Sequence, residues 1–328
     1  MLLALVLAAS GSVKIVTSVD DAKAQPGWAY ARLGQKVVLH AQIEGGKAAT
    51  IRWLKLEPEV ESVDNTQPKF HFENIPYRET PISACDDLPD CPADITPSKL
   101  AVPAELKGTG NMAFQVKVTL ASGSTLATPG LESRDVGGLS PEVHRVAIRR
   151  DDSYLGYLSE LTGSPFIFGS AGGDGRNQTD RLLGADCADL AVYGRRRMKT
   201  GAKYTSTYHF DEQAPELVKV TALDADGKAK DKQGHGVSFG DKGVKAGDVL
   251  HFPGSRHVAV LFEDRPPLGV LDGNDVMLHT CWGPPKIEAI GAAECASLPW
   301  RVLRWPESPA ATPRTSSPPV RSGTPAAR

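Results

Sequence analysis

Glycine and proline interrupt this chain too often for long helices: 32 glycines and 25 prolines stand among 328 residues. Proline removes a backbone donor and glycine favours turns, so such frequent punctuation selects short strands and many turns over a helical bundle. Between the interruptions, Val13–Val16, Lys36–Ile43, Thr50–Leu56 and Met112–Leu120 are rich in β-branched residues or alternate in polarity. That is the pattern of strands with one face turned to a core, and residues 12–148 read as an all-β sandwich. At about 150 residues per domain the length leaves room for a second unit. The 37 Lys+Arg are balanced by 39 Asp+Glu, so no basic footprint for nucleic acid is expected. No internal run approaches the roughly 18 apolar residues of a membrane-crossing helix.

The Leu39…Trp53 pattern resembles an immunoglobulin-like module, without the inter-sheet cysteine pair of antibody domains. Residues 61–105 form a Pro-rich excursion in which Cys85 and Cys91 flank Asp86-Asp87-Leu88-Pro89-Asp90 and can close a small disulfide loop. The chain opens on an apolar run ending in small residues, Ala8-Ala9-Ser10, so residues 1–11 are expected to be a signal peptide, with a secreted or periplasmic destination. An oxidising compartment would suit paired cysteines. Residues 306–328 hold six prolines and no aromatic residue, and are expected to be a disordered tail.

Near residue 150 the pattern changes. Apolar positions 154, 155, 158 and 161 behind an Asp/Ser cap predict a helix, and Ala185–Met198 predicts a second. Short strands follow at Asp248–Phe252, His257–Phe262, Val276–Thr280 and Trp300–Trp305. Helices followed by antiparallel strands predict an α+β unit over residues 149–305.

The chemistry-bearing residues fall in that unit. Asp186 is a good N-cap, which puts Cys187 in the first helical turn, where the helix dipole favours a thiolate. Asp189 adds a carboxylate that opposes the dipole. Taken alone, Cys187 also fits a small buried hydrophobe. His257 begins a strand after Ser255-Arg256, and His279 lies on the next apolar strand, so nucleophile, base and orienter can be named. The Gly-rich stretch 169–176 lacks the Lys-Ser/Thr ending of a phosphate loop, and no Gly-x-Ser-x-Gly or His-Glu-x-x-His motif occurs. His209, His235 and His251 match no metal-ligand spacing, and neither a metal nor an organic cofactor is expected. Arg195-Arg196-Arg197 reads as a solvated face.

In order and type these residues resemble the NlpC/P60 family of papain-like cysteine peptidases. Asp186-Cys187-Ala188-Asp189-Leu190-Ala191 resembles its nucleophile motif, and Gly247-Asp248-Val249-Leu250-His251-Phe252 with His257-Val258-Ala259-Val260 resembles its base motif. Met277-Leu278-His279-Thr280 resembles its third motif, and Gly163-Ser164-Pro165-Phe166-Ile167-Phe168-Gly169-Ser170 its upstream Gly-x-Pro-Tyr stretch. The resemblance covers about residues 150–305 and implies a papain-like domain of helices packed on a short antiparallel sheet. It also implies hydrolysis of an amide bond in peptidoglycan peptide stems by a monomer, with Cys187 attacking, His257 moving the proton and His279 orienting His257. Phe166, Asp186, Asp189, Arg256 and Trp282 are expected to line the substrate site. Phe166 replaces the family's Tyr and so removes a hydroxyl donor. A catalytically weak module that binds wall peptide or a partner protein is the alternative.

Five cysteines leave one unpaired when four are bridged. Nearest-neighbour pairing predicts Cys85 with Cys91 and Cys281 with Cys295, and leaves Cys187.

Overall fold

The computed structural model describes residues 11–67, 72, 74–171 and 177–307. The expected signal segment up to residue 10, the expected tail from residue 308 and residues 172–176 of the Gly-rich stretch lie outside the described residues.

The N-terminal half is built from two main sheets. One orders Gln25–Pro26, Ser12–Val19, Val37–Glu44 and Asp90–Pro92; the other orders Ala29–Arg32, His144–Arg149, Gly110–Leu120, Ala48–Pro58 and Tyr77–Pro81. Alternation along these strands sends Leu39 from the first sheet, and Trp53, Phe114, Val116 and Val118 from the second, into one fully buried cluster. The Trp53 indole N–H donates to the Leu88 carbonyl at 3.0 Å, which satisfies the polar end of the buried ring. Cys85 and Cys91 are disulfide-bonded, their Cα atoms 5.4 Å apart, and belong to the same cluster. Pairing is not antiparallel throughout, because Ala29–Arg32 runs parallel to His144–Arg149.

The Pro-rich excursion does more than connect. Tyr77–Pro81 and Asp90–Pro92 extend the two sheets, and Ser62–Asp64 pairs in parallel with Phe166–Phe168 of the second half. The Phe166 N–H donates to the Glu61 carbonyl at 2.8 Å, and the Ile167 N–H donates to the Ala185 carbonyl at 3.0 Å. A three-residue strand therefore joins the excursion to the segment just before Cys187.

The C-terminal half rests on a seven-stranded sheet ordered Ala229–Asp231, Glu216–Leu223, Trp300–Leu303, Val249–Phe252, His257–Glu263, Val276–His279 and Lys286–Ala289. Two helices cover one face: α1 (Tyr154–Leu158) and α2 (Cys187–Arg197). Val258 and Val260 pack toward Leu158, Ala188, Ala191 and Val192, while Ala259 and Leu261 turn to a second core with Phe252, Met277 and Trp300. Both faces of the central strands are thus buried, which explains their unbroken apolar run.

This overturns the α+β, papain-like expectation. Among the described residues there are twenty-one strands in five sheets, against two α-helices of five and eleven residues, so the molecule is mostly β. The expected first helix stops at Leu158 and tightens into a 3-10 turn over Ser159–Leu161, ahead of Gly163 at φ +72°. Residues 200–245, which carry no helical period, supply Glu216–Leu223 and Ala229–Asp231 and widen the sheet. Among the described residues no helix is long and apolar enough to cross a membrane.

Candidate active site

The site begins at a constrained turn. Gly184 sits at φ +152°, and a Cβ there would stand 2.3 Å from the Pro165 carbonyl oxygen, so only glycine fits. Asp186 then caps α2, accepting the Asp189 N–H at 2.8 Å on one carboxylate oxygen and the Gly169 N–H at 3.2 Å on the other. Asp189 is buried and accepts the Ser170 hydroxyl at 2.5 Å, while Ser170 accepts from Thr179 at 2.9 Å. Both carboxylates are engaged in building the helix start.

Cys187 is the first helical residue, half-buried and without a disulfide partner. Cys281 and Cys295 are bridged, as the cysteine arithmetic predicts. Burial pushes the Cys187 thiol up, Asp186 and Asp189 push the same way, and the Val258 and Ala188 backbone amides oppose them. Desolvation and two neighbouring acids outweigh the helix dipole, so the resting group is a thiol. Iodoacetamide modification of Cys187 is accordingly expected to be slower at neutral pH than that of a free cysteine. Its rate should climb about tenfold per pH unit through the neutral range, as for a thiol below its pKa. A plateau at neutral pH would contradict this.

His257 is buried at the start of its strand, with Phe252 stacked on its ring at 6.0 Å. His257 Nε2 lies 2.7 Å from His279 Nδ1, the two rings meeting edge to face. Burial lowers His257 to about 3 and also lowers His279, so both imidazoles are neutral near pH 7. His279 Nε2 in turn lies 2.7 Å from Glu288 Oε1, and Lys286 Nζ is 2.9 Å from that oxygen. Strand register creates this contact: His279 pairs with Lys286, and Glu288, two residues on, shares its face. α2 packs on the strand that His257 begins. Among the described residues, no hydrogen bond joins Cys187 Sγ to His257.

An aromatic wall stands nearby. Phe166 packs against Trp282 at 5.4 Å, and Phe168 lies 6.3 Å from Phe166 and 6.0 Å from Trp282. Trp282 is 63 % exposed and held at φ +56°, next to the bridged Cys281. Arg256, also in the left-handed region at φ +53°, is exposed with its guanidinium over Tyr208 at 5.5 Å. Phe166 and Trp282 therefore come together, whereas Arg256 is drawn to a different ring.

His251, considered above as a metal ligand, instead accepts the Arg301 guanidinium on Nδ1 at 2.7 Å and is also hydrogen-bonded to the Thr207 backbone. A cavity of about 540 Å³ lined by Tyr30, Asp180, Arg196, Arg197 and Lys199 opens at the C-terminal end of α2, away from Cys187. The arginines there are paired rather than simply solvated: Arg196 with Asp180 at 2.7 Å and Arg197 with buried Glu160 at 2.6 Å.

Sequence reasoning missed Glu288, Lys286, Ser170 and Phe168. The available signal was the alternation Lys286-Ile287-Glu288, obscured by Pro284-Pro285 just before it.

No protein-family model, curated protein or solved structure matches the chain.

Proposed function

We propose that the protein is a thiol hydrolase acting on amide bonds of peptidoglycan peptide stems, working at the cell envelope after export. The observation that carries the reading is a helix-start cysteine beside a strand whose first residue, His257, is hydrogen-bonded to His279 at 2.7 Å. The order of motifs resembling the NlpC/P60 family supplies the substrate class. The two disulfides suit an oxidising compartment.

In the proposed reaction the Cys187 sulfur attacks the amide carbonyl carbon while its proton passes to neutral His257. The Cys187 backbone N–H, which has no acceptor within the helix, stabilises the oxyanion. His257 then protonates the leaving amine as the C–N bond breaks, leaving a thioester. Water adds to the thioester after giving a proton to His257; the C–S bond breaks, a carboxylic acid departs and the proton returns to sulfur. His257 is neutral near pH 7 and so can accept a proton, while burial, which lowers it to about 3, makes it a weak base and counts toward the second reading below. The raised thiol makes the base necessary, because little thiolate is available to attack unaided.

Incubation with purified peptidoglycan fragments, read by mass spectrometry, is expected to give two products whose masses sum to that of the substrate plus one water. No new product across several wall chemistries would overturn the reading. A second reading, a catalytically weak module that binds wall peptide, is favoured by the missing Cys187–His257 hydrogen bond and by Phe166, which offers no hydroxyl. Fragment binding that persists without cleavage would support it.

A further inference from the structure

The line of hydrogen bonds leaving His257 continues past His279 to a carboxylate that no motif contains. His279 Nε2 and Glu288 Oε1 are 2.7 Å apart. A carboxylate offers only acceptors, whereas an imidazole can hold its single proton on either nitrogen. Facing Glu288, His279 must carry its proton on Nε2, which leaves Nδ1 as an acceptor. The 2.7 Å contact between His257 Nε2 and His279 Nδ1 then requires the His257 proton on Nε2. His257 is left with a bare Nδ1, the form in which a ring can take a proton from sulfur.

Without the carboxylate the same two rings have a second arrangement. His279 can carry its proton on Nδ1 and donate to His257 Nε2. His257 then holds its proton on Nδ1, and its remaining lone pair is spent on His279. The two arrangements contain the same number of ring-to-ring hydrogen bonds, so an outside group must choose between them. We infer that Glu288 makes that choice, as a positioning residue that acts through His279 to keep His257 Nδ1 unprotonated; the role rests on the thiol-hydrolase reading above.

The surroundings agree. Glu288 is held down to about 2, first by its hydrogen bond to His279 and also by Lys286, so it remains an anion at any working pH. His279 is fully buried, so no water competes for its Nε2 proton. The charged and titratable groups acting on the two rings are each other, Glu288 and Lys286. Lys286 fixes the carboxylate from its solvent side at 2.9 Å. When His257 becomes an imidazolium during the reaction, the nearby anion favours the charge without taking up the proton.

Glu288→Gln is a sharp test, because glutamine keeps the size but offers both an acceptor and donors. In the full chain carrying ¹⁵N-labelled histidine, both rings are expected to be Nε2–H tautomers at neutral pH. Glu288→Gln should populate the reversed pair and lower kcat on peptidoglycan fragments about 10- to 100-fold with KM little changed. Glu288→Asp, again acceptor-only, should restore the wild-type tautomers. Unchanged tautomers in Glu288→Gln would overturn the proposal, whatever the protein cleaves. Wild-type protein that shows Glu288-dependent tautomers but cleaves no fragment would support the tautomer role and overturn the hydrolase reading alone.

Discussion

Cys187→Ala is expected to lower the rate of fragment cleavage by at least about 10⁴-fold, while fragment binding is retained. The sulfur is the group that forms the covalent intermediate, and among the described residues no other cysteine is free. Its removal leaves the Asp186 cap in place, because the cap bond runs to the Asp189 N–H and not to residue 187. The helix start should therefore survive, and an unchanged circular dichroism spectrum would show that chemistry rather than folding is lost. His257→Ala should cost a similar factor, and the double variant little more, since nucleophile and base act as one unit. Cleavage that survives in Cys187→Ala would remove the thiol from the reaction.

The second large effect concerns stability. Glu160 is fully buried and receives the Arg197 guanidinium at 2.6 and 3.0 Å and the Tyr193 hydroxyl at 2.5 Å. Arg149 approaches the same carboxylate at 3.7 Å. Glu160→Ala would strand these groups in a low-dielectric site, and breaking a buried pair in this way costs about 3–5 kcal/mol. Urea denaturation should show a correspondingly lower midpoint with little change in slope. The same carboxylate anchors the last turn of α2, so the loss should loosen the helix that carries Cys187. A midpoint within error of wild type would show that the pairing contributes nothing.

Strands whose apolar residues follow the period-two rule were legible in the sequence, and Leu39, Trp53 and Phe114 occupy buried positions on them. The two disulfides and the unpaired Cys187 followed from cysteine spacing, and both bridges are present. The α+β expectation failed because helix and strand were weighed from a few periodic windows. Glu216–Leu223, with a mostly exposed pattern, and Ala229–Asp231, only three residues long, give no such window. Within the site, the Asp186 cap could be read from residue types in order. Glu288 could not, because its contact with His279 depends on cross-strand register, which emerges only when strands pair. The electrostatic state of Cys187 was hidden for a related reason: the sequence shows a helix dipole but not how much water the folded neighbours exclude.

The strand Phe166–Phe168 is held on one edge by Ser62–Asp64 and on the other by Ala185. Two of the three rings of the aromatic wall thus depend on a segment about a hundred residues away in the chain. Recombination that exchanged the first half for an unrelated one would leave the cysteine and both histidines intact in sequence, yet would cut one seam of the strand that carries two of the three rings. The geometry of the rings is thus tied to the excursion around Glu61 and Asp64 as much as to the residues that carry them.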